Sequence, residues 1–247
     1  MKVEHVKKIY KTKKGDILAV RDISFDVYKG EIVSIVGCSG CGKSTTLNML
    51  TGLLPLTEGK IFLDGKEVKG PQPKIGMVFQ NPVLPRWRNV IENVLLPIEI
   101  LNLDKEAYRK KAMDLLNLVG LRGFEDKYPR ELSGGMQQRA AICRALIHDP
   151  DILVMDEPFG SLDALTRDFM NEELMRIWNE TRKTIIYVTH YIPEAVFLSH
   201  RVVALTPRPS SVSKIIDIDF PHPRKSGIKT TKKFGDYIEE IHEAIGA

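Results

Sequence analysis

The stretch Gly37, Cys38, Ser39, Gly40, Cys41, Gly42, Lys43, Ser44 and Thr45 has the residue types and spacing to hold a polyphosphate. It fits the phosphate-loop pattern G-x-x-x-x-G-K-[ST] and follows an apolar run, Ile-Val-Ser-Ile-Val at 32–36. Its glycines allow a tight turn that aims successive backbone N–H groups inward, and a helix beginning near Lys43 adds the positive end of its dipole. Together they form an anion cradle. Lys43 is expected to neutralise the β- and γ-phosphates, and the Ser44 hydroxyl is the expected magnesium ligand. A chance glycine-rich turn would not bring strand, loop and helix in this order.

A second set of residues lies far along the chain. Leu-Ser-Gly-Gly-Met-Gln-Gln-Arg at 132–139 precedes, by one helix, a short apolar strand at 152–155 that ends in Asp156 and Glu157. Asp156, at the carboxyl end of a buried strand, can hold magnesium through water; its plain alternative is a strand-end cap. Glu157 is the candidate general base for an attacking water, a role worth about 10²–10⁴-fold, and otherwise a structural acid. His190, just after a strand at 184–189, could hydrogen-bond a terminal phosphate or that water. Ser133 reads as a helix N-cap whose hydroxyl, with the N–H groups near Gly134 and Gly135, makes a second anion site. The glycines could equally be a helix-start turn.

Taken together, these segments resemble the ATP-binding cassette (ABC) family over about residues 2–220: the phosphate loop, the signature at 132–139 and the Walker B acids Asp156 and Glu157. In that resemblance Gln80 is the Q-loop residue, touching both nucleotide and metal, Ser161-Leu162-Asp163 is the D-loop, and His190 is the switch histidine. Tyr10 lies where the family places the aromatic that stacks on adenine. The family also implies ATP and Mg²⁺ as cofactors and a head-to-tail homodimer, in which Ser133, Gly134, Gly135, Gln137 and Asp163 of one subunit close over ATP held by the other. Residues 134–139, 205–209 and the segment after Phe220 look most like importers of the nitrate, sulfonate and taurine group. Such importers pair two ATPase subunits with two permease subunits and an extracytoplasmic binding protein. Pro85-Arg86-Trp87-Arg88 departs from that group's usual Leu-Pro-Trp arrangement. A soluble cassette ATPase acting on ribosome or DNA is the alternative, although the long coiled coil or second cassette of such proteins is missing here.

The elements that must position these residues follow from pattern. Strands are expected within 2–36, a hairpin over 60–68 about Asp64-Gly65, and further strands at 75–80, 152–155, 184–189 and 202–205. Helices are expected at 43–54, 104–119, after Ser133, at 164–181, after Pro193 and at 234–245. The alternation implies an α/β protein, and the resemblance refines it to a RecA-like P-loop core with an N-terminal antiparallel β subdomain and an inserted α-helical subdomain. Expected boundaries are 1–220 for the ATPase domain, about 82–148 for the helical insertion and 221–247 for a helical tail. Pro82, Pro85 and Pro97 are expected to break the chain, and apolar residues such as Trp87, Val94 and Leu95 to stand exposed for a helix of a membrane partner.

Composition bounds the rest. The 247 residues are 43% hydrophobic and 28% charged, with a formal charge of +4, as in soluble globular proteins. Neither a membrane span nor a signal-peptide core is visible, so a cytoplasmic location on the inner face of the membrane is expected. Lysines clustered at 7–14 read as a solvated face, and no nucleic-acid partner is expected. Cys38 and Cys41 form a C-x-x-C whose spacing follows from the phosphate loop, while Cys143 reads as a core residue. A helix N-terminus lowers thiol pKa, so oxidation of Cys38 and Cys41 is expected to inactivate the protein.

Overall fold

The structure is a computed structural model and describes residues 1–13, 15–160 and 162–246. Ser161 of the D-loop and Lys14 of the lysine cluster lie outside the described residues. The strands are β1 (Lys2–Thr12), β2 (Gly15–Asp26), β3 (Ile32–Val36), β4 (Glu58–Leu63), β5 (Lys66–Glu67), β6 (Ile75–Val78), β7 (Ile152–Asp156), β8 (Thr184–Thr189), β9 (Arg201–Leu205) and β10 (Ser210–Asp217). They form a sheet of order β5-β4-β1-β2-β10-β9-β3-β8-β7-β6. Strands β9, β3, β8, β7 and β6 run parallel, while β5, β4, β1 and β2 pair antiparallel. Strand β10 joins the halves, parallel to β2 and antiparallel to β9. It escaped the sequence reading, because Pro207 and Pro209 just before it and the mixed run Ser-Ser-Val-Ser-Lys give no clean alternation.

The helices are α1 (Lys43–Leu50), α2 (Val90–Ile100), α3 (Lys105–Leu118), α4 (Gly134–Leu146), α5 (Ala164–Thr181), α6 (Ile192–Leu198) and α7 (Lys232–Ile245). Side-chain alternation along the central strands splits the core in two. Ile32 and Val36 of β3 face the cluster under α2 and α4–α7, whereas Val33 and Ile35 face α1 and the antiparallel strands. Every residue of β3 and β8 is buried, as parallel strands covered on both faces require.

Three expectations need correction. Helix α1 ends at Leu50, not near 54; a turn follows in which Leu54 N–H donates to Asn48 O at 3.0 Å. Pro97 does not break the chain but lies inside α2. It sits in the last turn, where its missing N–H forfeits one bond, and the apolar stripe of Val90, Ile91, Val94 and Ile98 holds the helix on the core. Val94 and Leu95 are therefore buried rather than exposed. The most exposed apolar residues of this region are Val83, Trp87 and Ile100.

The tail after Phe220 folds back on its own chain: Phe234, Ile241 and Ile245 of α7 enter the core beside α6. Where it crosses, His222 stacks on His200, ring centroids 4.0 Å apart, and Trp178 lies 5.1 Å from each. His200 Nδ1 accepts from Ile32 N–H at 3.0 Å, so that nitrogen carries no proton. His222 Nε2 donates to Leu198 O at 3.0 Å. Burial lowers both pKa values, that of His222 to about 4 from 6.5, and Arg224 adds to the shift. A histidine depressed in the folded state contributes stability that is whole above its unfolded value and is lost as pH falls through the folded one. The urea midpoint should accordingly decline between pH 7 and pH 4.5. His222→Gln, which keeps the donor to Leu198, should lose less over that interval, by on the order of 1 kcal/mol once solvent screening of a half-exposed ring is allowed for; equal declines would show that His222 does not titrate as described.

Candidate functional site

Parallel pairing in register sets the site. Val36 of β3 pairs with Thr189 of β8, Val188 with Asp156 of β7, and Met155 with Val78 of β6. The phosphate loop, His190, Glu157 and Gln80 thus leave the carboxyl ends of four adjacent strands, spanning about 14 Å at the usual strand spacing. That edge of an open α/β sheet is where ligands bind.

The loop at 37–45 is closed by its own backbone. Gly42, the residue before α1, takes a left-handed φ of 116°, and a Cβ there would meet Ser210 Oγ at 3.0 Å, so only glycine fits. Lys43 is buried at 6% exposure. Its Nζ donates to Gly37 O at 2.9 Å and Cys38 O at 3.1 Å and lies 3.8 Å from Glu157 Oε1. Ser44 Oγ donates to Asp156 Oδ1 at 3.3 Å. Burial raises the Asp156 pKa, against the Ser44 hydrogen bond and with a smaller push from Glu157.

Glu157 has a φ of 42°, a left-handed conformation rare for a residue with a side chain. Its N–H donates to Val188 O at 2.9 Å and its carbonyl accepts from Gly160 N–H at 3.1 Å. This turn points the carboxylate back toward the loop. His190 Nδ1 donates to Glu157 Oε2 at 2.8 Å, which leaves Nε2 without a part in that bond. Gln80 is part of the same group, because a Cβ on Gly160 would lie 3.4 Å from its Nε2 and 3.6 Å from Glu157 Oε2.

Other expected residues stand further off. Tyr10, on β1, shares a hydrogen bond with Thr45 Oγ1 at 3.2 Å and keeps its ring partly exposed beside the loop. Ser133 caps α4, accepting from Met136 N–H at 3.3 Å. Helix α4 packs on α2, α3 and β6, while α1 packs on β2, β7 and β8, so the helix starts at Lys43 and Ser133 belong to different parts of the fold. Gln137 directs its amide to Pro129 O and Leu132 O at 2.9 and 3.3 Å, bracing the turn before Ser133. Asp163 caps α5, and hydrogen bonds from Thr166 hold its carboxyl below the usual range. The expectation of a low thiol pKa is corrected at Cys41: the thiol is 1% exposed and burial pushes it up. Cys143 is fully buried. The sequence reading missed Arg167 and Glu194, which sit behind His190; an acid four residues after a strand-end histidine was the available signal.

Fold and site define a P-loop nucleotide hydrolase. Residues 20–160 match the family model described as ABC transporter. The chain is 46% identical to an uncharacterised ABC transporter ATP-binding protein of Methanocaldococcus jannaschii, over 98% of this chain and 89% of that one. It is 43% identical to a taurine import ATP-binding protein of Rhizobium johnstonii, over 99% and 96%. A dimeric ATP-binding cassette solved in a post-hydrolysis state with ADP and phosphate superposes with a TM-score of 0.77 at 33% identity, covering 89% of this chain and 99% of that one. The chain belongs to the ABC transporter family. It is an ATPase that uses ATP and Mg²⁺, built as a RecA-like core with an N-terminal antiparallel β subdomain and an inserted helical subdomain.

The residues fit those two groups. The cradle offers backbone donors and a buried ammonium to a polyphosphate. No cluster of three or more His, Cys, Asp or Glu side chains suited to a metal exists among the described residues. Ser44 and Asp156 supply only oxygen, which suits an ion held jointly by protein, water and phosphates, as Mg²⁺ is; when bound, it would offset phosphate charge. Glu157→Gln keeps the shape of the site but removes the carboxylate facing Lys43 and His190. Phosphate release should fall about 10²–10³-fold with ATP affinity kept within severalfold, as read by nucleotide titration; turnover near wild type would exclude Glu157 as the base.

Proposed function

We propose that this chain is the ATP-hydrolysing subunit of an importer of small sulfonates such as taurine, or of a related anion such as nitrate. Two copies would work with separate permease subunits and an extracytoplasmic solute-binding protein. The observation that supports it most is the separation of two anion-binding helix starts, at Lys43 and Ser133, on a chain similar end to end to a taurine import ATP-binding protein. Within one copy, Lys43 and the amides of 37–45 hold the phosphates, Tyr10 stacks on the adenine, and Ser44, Asp156 and Gln80 hold Mg²⁺. Glu157 takes the proton of the attacking water, and His190 orients water and phosphate. Ser133, Gly134, Gly135, Gln137 and Asp163 of the second copy close over the same nucleotide. The ATPase domain is residues 1–220, with a helical insertion at about 82–148 and the tail at 221–247.

The permease contact is assigned to an apolar groove of about 370 Å³ that includes Phe79, the residue before Gln80, and is lined further by Met77, Val83, Leu96, Pro97 and Ile100. It lies where β6, which leads into Gln80, meets the helical insertion, so a helix seated there would sense movement at the nucleotide. No helix among the described residues is long and apolar enough to cross a membrane, and attachment through this groove would make the chain peripheral on the inner face of the membrane. A role on ribosome or DNA is not favoured.

The test of function is uptake of labelled taurine, alkanesulfonates and nitrate in cells carrying either this chain or Lys43→Ala. Loss of one uptake with the variant names the cargo; unchanged uptake with an expressed, ATPase-dead variant overturns the assignment. The groove is tested separately. Ile100→Asp should abolish co-purification with the permease while thermal unfolding stays within a few degrees of wild type, and intact co-purification would place the contact elsewhere.

A further inference from the structure

A buried polar cluster lies directly behind His190. Glu194, on α6, is 4% exposed. Its Oε2 accepts from Thr189 Oγ1 at 2.7 Å and from Tyr187 OH at 3.3 Å. Thr189 Oγ1 in turn accepts from Tyr191 N–H at 2.9 Å. The residues on both sides of His190 are thereby pinned to one carboxylate. Burial pushes that carboxyl up, against the hydroxyl hydrogen bond from Thr189 and the Arg167 charge.

Arg167, one turn into α5, reaches the same cluster from the other side. One terminal nitrogen donates to Leu162 O at 3.0 Å, on the segment leading into Asp163. The guanidinium lies over the Tyr191 ring, 4.9 Å from its centroid. Its Nε faces Glu194 Oε1 at 3.8 Å, too far for a hydrogen bond. Neither atom has a hydrogen-bond partner among the described residues, although the side chain of the buried Asn171 also stands against the Glu194 carboxyl. Buried polar atoms of opposite charge left facing each other unbonded are costly, and a relative shift of roughly 1 Å would close the bond. The pair thus links two segments that meet different parts of the site.

We infer that Arg167 and Glu194 are a positioning pair that couples Leu162 and Asp163 to His190. Arg167 carries movement of Leu162 and Asp163 to the shelf made by Glu194 and Thr189, and that shelf sets the angle at which His190 meets Glu157. Neither residue touches nucleotide. The inference rests on the reading of His190 and of Asp163 given under Proposed function, and it adds that contact with a second copy is read at His190 through Arg167.

The test uses the full chain and compares Arg167→Lys, Glu194→Gln, His190→Ala and the Arg167→Lys/His190→Ala double variant. Arg167→Lys keeps the charge but loses the fork that spans Leu162 and Glu194. Its kcat should drop about tenfold or more with KM within about twofold, dependence of rate on ATP should lose its cooperativity, and the melting temperature should stay within a few degrees. Glu194→Gln should give the same split. Added to His190→Ala, Arg167→Lys should cost nothing further, because residues acting through one another are non-additive. Wild-type kcat in Arg167→Lys, or a loss that multiplies in full with that of His190→Ala, overturns the inference and leaves the site reading standing. Wild-type kcat in His190→Ala defeats the site reading and takes this inference with it.

Discussion

The constraint on which everything else depends is the backbone pairing of β3 with its parallel neighbours. These strands are buried on both faces, so each N–H and C=O must find its partner in the ladder, and the register cannot slip without leaving polar groups unpaired. A slip of one residue would also exchange the two cores, sending Val33 and Ile35 where Ile32 and Val36 belong. Chemistry is attached to the ends of strands that cannot move. The loop at 37–45, the acids at 156–157 and His190 are brought together by this ladder, and their direct contacts add to it.

Charge balance at the strand ends follows from that placement. Lys43 is held by two carbonyls of its own loop, and Glu157 lies between Lys43 and His190. The left-handed φ at Glu157 is an unfavourable backbone conformation, one the structure retains where it turns the carboxylate toward the loop. Asp156 one residue earlier keeps ordinary strand geometry and meets Ser44 instead. Two adjacent acids thus face different partners because one backbone angle differs.

Much of this site was legible because its residue types answer to local rules. A glycine loop after an apolar strand, a serine followed by two glycines, and acids ending an apolar run each state their geometry within a few residues. What stayed hidden depends on distant packing. Strand β10 exists because β2 and β9 leave a gap that residues 210–217 fill, and its own sequence carries little alternation. Pro97 reads as a breaker until the buried stripe of α2 is seen to outweigh one lost bond. Val94 and Leu95 look available to a partner, yet they face α4 and its neighbours; the groove instead takes Val83, Leu96 and Ile100. Arg167 and Glu194 belong to different helices and show nothing in sequence of facing each other.

The tail bears on the site by a route its composition does not suggest. Helix α6, which follows His190, spans only Ile192–Leu198, too short to hold its shape without tertiary support. Its last carbonyls need donors, and Arg224 supplies them: one terminal nitrogen donates to Val196 O at 2.7 Å and Phe197 O at 3.1 Å. The other reaches Ile218 O and Phe220 O at 3.1 and 3.2 Å. Arg224 is 4% exposed, and burial lowers its pKa to about 10, so it remains a cation at neutral pH. A buried cation hydrogen-bonded to carbonyls and lying over the Phe220 ring is tolerable because α6 presents its negative end there. Helix α7 then covers this joint with Phe234, Ile241 and Ile245. The helix that begins beside His190 is therefore fixed at its far end by residues beyond Phe220, and what freedom the histidine keeps lies at the near end, where Glu194 and Thr189 hold it.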